Sequence, residues 1–366
     1  MNKYYNNLHP EIKEYFKILS PEFPTWLFDY IDTNEMQRIG KISMHCGIDY
    51  SGMFDIRYPY SNLDHSVGVA IIIWNFTHDK KQTLAGLFHD IATPVFKHCI
   101  DFMNGDSETQ ESTEERTIEM ISNSSEIMRL LERDNIKLED VYDYKIYPIA
   151  DNDTPRLSAD RFEYNFSSGL SFYRIWELDK IREVYNDIEI AQNEEGIDEL
   201  TFRTPEICEQ YIETVSKLWP QWISNENKIV MQFIADICKS MKNAGLLTTD
   251  ELYQMSEKEI LERILHCPDT YIVESFKQFQ RANKIHTSNL PKDDKYCVRI
   301  KSKTRYIIPL VKTKNKNVRI TNISSAIMGK IKNFLETSVQ EPVFTYFDFH
   351  FIPYDEPKVL IETLRP

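Results

Sequence analysis

Residues 64–76, "DHSVGVAIIIWNF", are apolar nearly all the way round a helical projection. A helix with no polar face has to be enclosed on every side. Crossing a bilayer takes about 18 or more apolar residues in a row, and the chain has no such run. Other elements must therefore wrap this segment, and its neighbours supply them. "HPEIKEYFKIL" (9–19) and "WLFDYIDTNEMQRIGKI" (26–42) repeat apolar residues at three- and four-residue steps, which predicts helices. "KKQTLAGLFHDI" (80–91) predicts another, ending before Pro94. In "STEERTIEMI" (112–121) Ser112 and Glu115 suit a capping box.

"TPRLSADRFEYNF" (154–166) predicts a helix with Pro155 near its first turn. Amphipathic helical pattern then runs through 205–285, punctuated by Gly245 and Pro268. Near residue 290 the pattern changes. "KYCVRIKSKTRYIIPLV", "NVRITNIS" and "PVFTYFDFHFI" alternate polar with β-branched or aromatic residues, as strands do. The expectation is a mainly α protein: an all-helical body over 1–287 and a small strand-containing α/β region over 288–366.

The net charge of −14 argues against a general nucleic-acid binder, because a phosphate backbone rewards positive surface. A local basic or metal-bearing site on an acidic protein still accommodates small anions. The six cysteines are scattered without CxxC spacing, which fits reduced thiols rather than a disulfide framework or a thiolate zinc site. "MNKYYNNLHPEIKEYF" lacks the basic-then-apolar layout of a signal peptide, so a cytoplasmic location is expected.

Within "LFHDIATPVFKH" (87–98), His89 and Asp90 interrupt an apolar stretch. Burying two ionisable groups there is costly unless each is paired or bound to a metal. The chain provides a contrast in His78-Asp79, which sits among polar residues and reads as a solvated helix cap. His65 opens the apolar helix, and Asp160 lies on a later helix with Arg161 next to it and Tyr164 four residues on. Taken singly, His65 also reads as a capping residue and Asp160 as a first-turn acid paired with Arg161.

The ordered set of a histidine opening an apolar helix, a His-Asp pair ending the next, a histidine nine residues on and a later Asp-Arg-x-x-Tyr resembles the HD-domain phosphohydrolase superfamily. It is most similar to the deoxynucleoside-triphosphate triphosphohydrolase-like branch. "LFDYIDTNEMQRIGKI", with Gln37-Arg38, resembles the segment before that branch's first histidine, and residues 295–311 resemble its C-terminal strand region more loosely. The resemblance covers most of 25–175. It implies an HD-type helical bundle holding one divalent ion (Mn, Mg, Fe, Co, Ni or Zn) on His65, His89, Asp90 and Asp160. The ion would polarise a phosphoryl oxygen and acidify water. His98 corresponds to a histidine handling the attacking water, Tyr164 to a substrate-contacting tyrosine, and Arg161 and Lys97 to cations facing phosphate. A phosphorylated small molecule, a nucleotide, is the implied substrate, and a homo-oligomer the implied assembly.

Departures from the branch fall on substrate-reading positions. Asn62 replaces an arginine three residues before the first histidine. "HDIATPVFKH" replaces "HDxGHGPFSH", and Met44-His45 stands where a Gln-Leu pair selects deoxyribose. Gln110-Glu111 replaces a His-Glu pair, which leaves Glu111 as a general acid or base if its loop folds over the site. These departures favour retained metal chemistry on an altered substrate. A deoxynucleoside triphosphate leads, a nucleoside monophosphate is the alternative, and a non-catalytic nucleotide-binding protein that kept the metal cage is the rival of another class. The cations between Lys292 and Arg319 read as a phosphate or regulatory-nucleotide site, a docking face for a neighbouring subunit, or the solvated side of a strand.

Overall fold

A computed structural model describes residues 2–112 and 116–356. At its centre runs the helix Asn62–Thr77, in which every residue from Asn62 to Ile73 is buried. Ser61 caps it: the Ser61 hydroxyl accepts from the Asp64 N–H, and the Asp64 carboxylate accepts from the Ser61 N–H. At its far end His78 takes the left-handed conformation (φ 53°), and Asp79 caps the following helix Lys80–Phe88 by accepting from Lys81 N–H at 2.8 Å. The His78-Asp79 pair is thus a turn-and-cap device.

The helices Pro10–Leu19 and Ala159–Ser171 pack against the central helix. A second apolar cluster gathers round the helix Asn225–Asn243, against which His98–Met103 and Thr270–Arg281 pack. Among the described residues no helix is long and apolar enough to cross a membrane.

Local chemistry moves several expected boundaries. The segment 26–42 is two short helices, Leu27–Ile31 and Asn34–Ile39, because the Thr33 hydroxyl turns back to donate to Tyr30 O at 2.7 Å. The helix expected to begin near Pro155 starts at Ala159 instead, capped by Ser158, whose extended backbone leaves Pro155 in the preceding loop. Glu115, half of the expected capping box, lies outside the described residues.

The body is also not all helical. The strands β1 (Ile188–Gln192) and β2 (Asp198–Phe202) form an antiparallel hairpin round Gly196, where φ is +78° and the absence of a Cβ is required. In chain order follow β3 (His286–Ser288), β4 (Cys297–Val298), β5 (Leu310–Lys312), β6 (Asn317–Arg319) and β7 (Phe344–Tyr346). They form two sheets, β1-β2-β5-β6 and β3-β7-β4. The pairing of β5 with β2 is parallel, Thr201 opposite Leu310, so the hairpin of the body and the C-terminal strands share one sheet.

Candidate metal centre

Three of the four sequence-derived ligands converge. His65 stands in the first turn of the central helix, His89 caps the end of Lys80–Phe88, and Asp160 lies in the first turn of Ala159–Ser171. His65 Nε2 lies 3.1 Å from His89 Nε2 and 3.1 Å from Asp160 Oδ1; His89 Nε2 is 3.6 Å from the same oxygen. Both imidazoles are held from behind. His89 Nδ1–H donates to Gly86 O at 2.7 Å, and His65 Nδ1–H donates to the fully buried Glu163. Each ring therefore turns an Nε2 lone pair toward the other. Two acceptors at that separation repel unless a cation sits between them, and about 3 Å is the spacing of two nitrogens bound at about 2.1 Å to one ion. Burial alone would lower the pKa of His65, but Glu163 and Asp160 raise it to about 9, so the pocket favours positive charge. The donor set fits a divalent cation.

Asp90 stands at the edge of this cluster. Its Oδ2 is 3.7 Å from His89 Nε2 and accepts from Lys97 Nζ at 2.9 Å. Burial would raise the Asp90 pKa, but Lys97 and the two histidines outweigh it and hold the carboxyl well below its usual range. Phe96 (φ 65°) and Lys97 (φ 46°) both take left-handed backbone, a conformation that costs side-chain-bearing residues about 1–3 kcal/mol each. That turn brings Lys97 back onto Asp90. Asn62 does not line the cleft: it is fully buried, accepting from Lys97 Nζ and donating to Asp90 O at 3.4 Å. Arg38 closes the same turn, donating to Ile91 O at 2.7 Å and Thr93 O at 2.9 Å.

The cluster opens into a cleft of about 590 Å³ that His45, His98, Glu111, Arg161 and Tyr164 also line. That volume is in the range of small-molecule sites, roughly 300–1,000 Å³. His98 donates from Nδ1 to Asp101 Oδ2 at 2.9 Å, and the fully buried Asp101 is itself fixed by the Ser112 hydroxyl at 2.7 Å. Burial lowers the His98 pKa, and Arg305 adds to that against the pull of Asp101. The imidazole is neutral near pH 7 with Nε2 as the acceptor. Arg161 is 3.1 Å from Asp151 and donates to Asn152 Oδ1 at 2.8 Å. Tyr164 meets the edge of Trp222, 5.5 Å between centroids, and burial raises its pKa to about 12.

His45 is not on the surface. It is 7% exposed, stacks on Phe172 at 4.8 Å, and its Nε2 has no hydrogen-bond partner. Burial, helped by Lys97, lowers its pKa to about 4. Glu111 is exposed, with Lys303 at 3.6 Å. Sequence reasoning missed Glu163, Asp101 and Lys228, and it did not single out Arg305 among the cations between Lys292 and Arg319. The first two carried a signal, since each lies three residues after a site residue and so on the same helical face.

No protein-family model matches the chain. The metal-dependent phosphohydrolase cns2 of Cordyceps militaris is 24% identical over 152 residues, 41% of this chain and 42% of that protein, so the chain matches less than half of that relative. The uncharacterized protein YdhJ of Bacillus subtilis is 20% identical over 295 residues, 78% of this chain and 83% of that one. A phosphohydrolase from Bacteroides thetaiotaomicron superposes with a TM-score of 0.59 at 13% identity, covering 87% of this chain and 94% of its own. A hypothetical protein from Aquifex aeolicus does so with the same TM-score at 15% identity, covering 88% and 91%. The chain therefore shares its fold, over nearly nine-tenths of its length, with solved structures that include a phosphohydrolase.

Proposed function

We propose that this protein is an HD-type, metal-dependent phosphohydrolase of a phosphorylated small molecule, with a nucleotide as substrate and dNTP triphosphohydrolase-like chemistry as the leading form. The observation that carries the reading is the pair of Nε2 lone pairs and the Asp160 carboxylate converging at the floor of a cleft lined by cations. His65, His89 and Asp160 would hold the ion, with Asp90 beside them. When bound, a divalent cation supplies Lewis acidity at the phosphoryl group and acidifies water.

The remaining chemistry belongs to the chain's own side chains. His98 Nε2, neutral and kept in one tautomer by Asp101, accepts the proton of the attacking water as the P–O bond forms. The same nitrogen then returns a proton to the leaving oxygen. Arg161 and Tyr164 stand along the cleft to orient phosphate and the group attached to it. Lys97 acts on Asp90 rather than on substrate, because its ammonium is already committed to Asp90 and Asn62. The relative from Cordyceps militaris, named a metal-dependent phosphohydrolase, supports this reading.

The test is product analysis. Purified protein is offered deoxy- and ribonucleotides as mono-, di- and triphosphates with Mg²⁺, Mn²⁺ or Co²⁺, beside Asp160→Ala. Nucleoside plus tripolyphosphate, lost in the variant, is the expected result. Orthophosphate from monophosphates would make the protein a nucleotidase on the same cage. A metal-loaded preparation without turnover would refute the enzymatic reading and leave a nucleotide-binding protein.

A further inference from the structure

Half of the basic residues from Lys292 to Arg319 are paired with acids. Arg299 and Lys301 pair with Glu341, Lys303 is 3.6 Å from Glu111, Lys312 pairs with Glu189, and Arg319 pairs with Glu194 and Glu199. Arg305, inside the cleft, is not among them. Its Nη2 donates to Gln110 Oε1 at 2.8 Å and lies 3.4 Å from His98 Nε2, both neutral groups. Among the described residues no carboxylate lies within 4 Å of it, and its Nε and Nη1 have no hydrogen-bond partner.

The segment is pinned on both sides of this arginine. Lys303 N–H donates to Ser107 O at 3.1 Å, and Ile308 N–H donates to Pro155 O at 2.7 Å. The backbone is thus tied to the two loops that flank the cleft, with Arg305 between the ties. Three other cations there differ: Lys97 is tied to Asp90, Arg161 to Asp151 and Arg156 to Glu195.

We propose that Arg305 is an oxyanion-binding residue of the active site, which seats a phosphate of the substrate against His98 with its unpartnered guanidinium nitrogens. The inference rests on the phosphohydrolase reading and adds that the C-terminal region completes the site. Arg305 Nε and Nη1 each keep an N–H to donate to a phosphate oxygen, and such charge-assisted hydrogen bonds are the strong ones. A phosphate held by this guanidinium comes within reach of His98 Nε2, the atom that handles the proton. The neutral Gln110 holds the guanidinium in place without neutralising it; Gln110 is itself anchored by donating to Ser107 O at 3.1 Å.

The full-length protein, equilibrated with Mn²⁺, is titrated calorimetrically with inorganic phosphate. Arg305→Ala should weaken phosphate binding about 10- to 100-fold, the loss that goes with a charge-assisted hydrogen-bond pair. Arg305→Lys should fall between, and millimolar guanidinium should restore part of the loss in Arg305→Ala. Mn²⁺ affinity should be unchanged, and Arg299→Gln on the same segment should bind phosphate like the parent. Parental phosphate affinity in both Arg305 variants, or loss of Mn²⁺ along with phosphate in both, would overturn the inference. If the parent binds phosphate through Arg305 yet hydrolyses nothing, the enzymatic reading fails while the anion site stands. If the parent turns over substrate but binds phosphate independently of Arg305, the anion site fails while the enzymatic reading stands.

Discussion

Adding one methyl group at Gly68, on the first helical turn after His65, tests whether Glu163 sets the metal centre. A Cβ there would lie 2.7 Å from Glu163 Cγ and 2.8 Å from its Oε1. Carbon pairs sit comfortably at about 3.5–4.0 Å, so the glutamate has to retreat by about 1 Å. It has nowhere soft to go. Oε1 accepts from the Tyr60 hydroxyl at 2.5 Å and from the Tyr15 hydroxyl at 3.2 Å, while Oε2 accepts from Ser167 at 3.1 Å and from His65 Nδ1. The shift therefore loosens the carboxylate's hold on the imidazole.

Partners that orient a ligating histidine are worth about 10- to 100-fold in metal affinity, and Gly68→Ala should lose an amount in that range for Mn²⁺. The helix itself gains roughly 1 kcal/mol from alanine, so the thermal midpoint should move less than the metal affinity does. Gly169→Ala is the control: its Cβ would meet Trp176 Cδ1 at 2.4 Å, a clash in the apolar core. That variant should lower stability and leave Mn²⁺ affinity alone. Calorimetric Mn²⁺ titration alongside thermal melts reads both quantities. Parental Mn²⁺ affinity in folded Gly68→Ala would refute the idea that Glu163 positions His65.

Two further outcomes follow from buried acids away from the metal. Burial, with Asp49 nearby, raises Glu257 to about 8, against the favourable hydrogen bonds from the Tyr50 hydroxyl and Ser43 N–H. A raised folded-state pKa means that its stabilising share is complete below the unfolded value of 4.5 and fades as pH climbs to about 8, at roughly 1.4 kcal/mol per pH unit. The difference in urea-derived stability between parent and Glu257→Gln should change with pH across that window, and a constant difference would refute the assignment. Arg319 grips the fully buried Glu199 with both ends of its fork, at 2.6 and 2.8 Å. Arg319→Met should cost about 3–5 kcal/mol by stranding that charge. Adding Glu199→Met should recover most of the loss in urea unfolding, and no recovery would show that the charge is not the cause.

The candidate metal ligands that converge were readable because each is marked by its own few neighbours: an apolar helix with a histidine at its mouth, an apolar flank broken by His-Asp, an aspartate after a capping serine. Glu163 was half-readable. Its spacing from Asp160 is that of one helical face, but a glutamate in a helix is ordinarily solvated, and only the fold puts Tyr15 and Tyr60 over it. The hairpin 188–202 alternates Ile188, Ile190 and Leu200, Phe202, yet it lies between strong helical patterns and needs the distant β5 to become part of a sheet. Arg305 belonged to a segment read as one possible phosphate site, but nothing in the sequence singled it out. It lies 207 positions from His98, and in the sequence it is one cation among many on an alternating segment. Which cation stays unpaired depends on where each acid lands.

That contrast follows from how the site is assembled. Helix ends carry the candidate metal ligands, where hydrogen bonds to Gly86 O and Glu163 fix ring orientation. The cleft's other walls come from helix faces that carry Arg161, Tyr164 and Lys228 and from loops, including the C-terminal segment of Arg305, which is held by long-range ties such as Ile308 to Pro155 and by the parallel pairing of β5 with β2. A change of one residue in those walls alters what the cleft holds without disturbing the cage, because the cage's own supports, Gly86 O, Glu163 and the Lys97–Asp90 pair, do not run through them. Substituting wall residues such as His45 or Arg305 should therefore move substrate preference and phosphate affinity, whereas substituting Glu163 should move metal affinity. The two sets are separable because Glu163 holds His65 through Nδ1, the ring nitrogen opposite the one that faces His89 and Asp160.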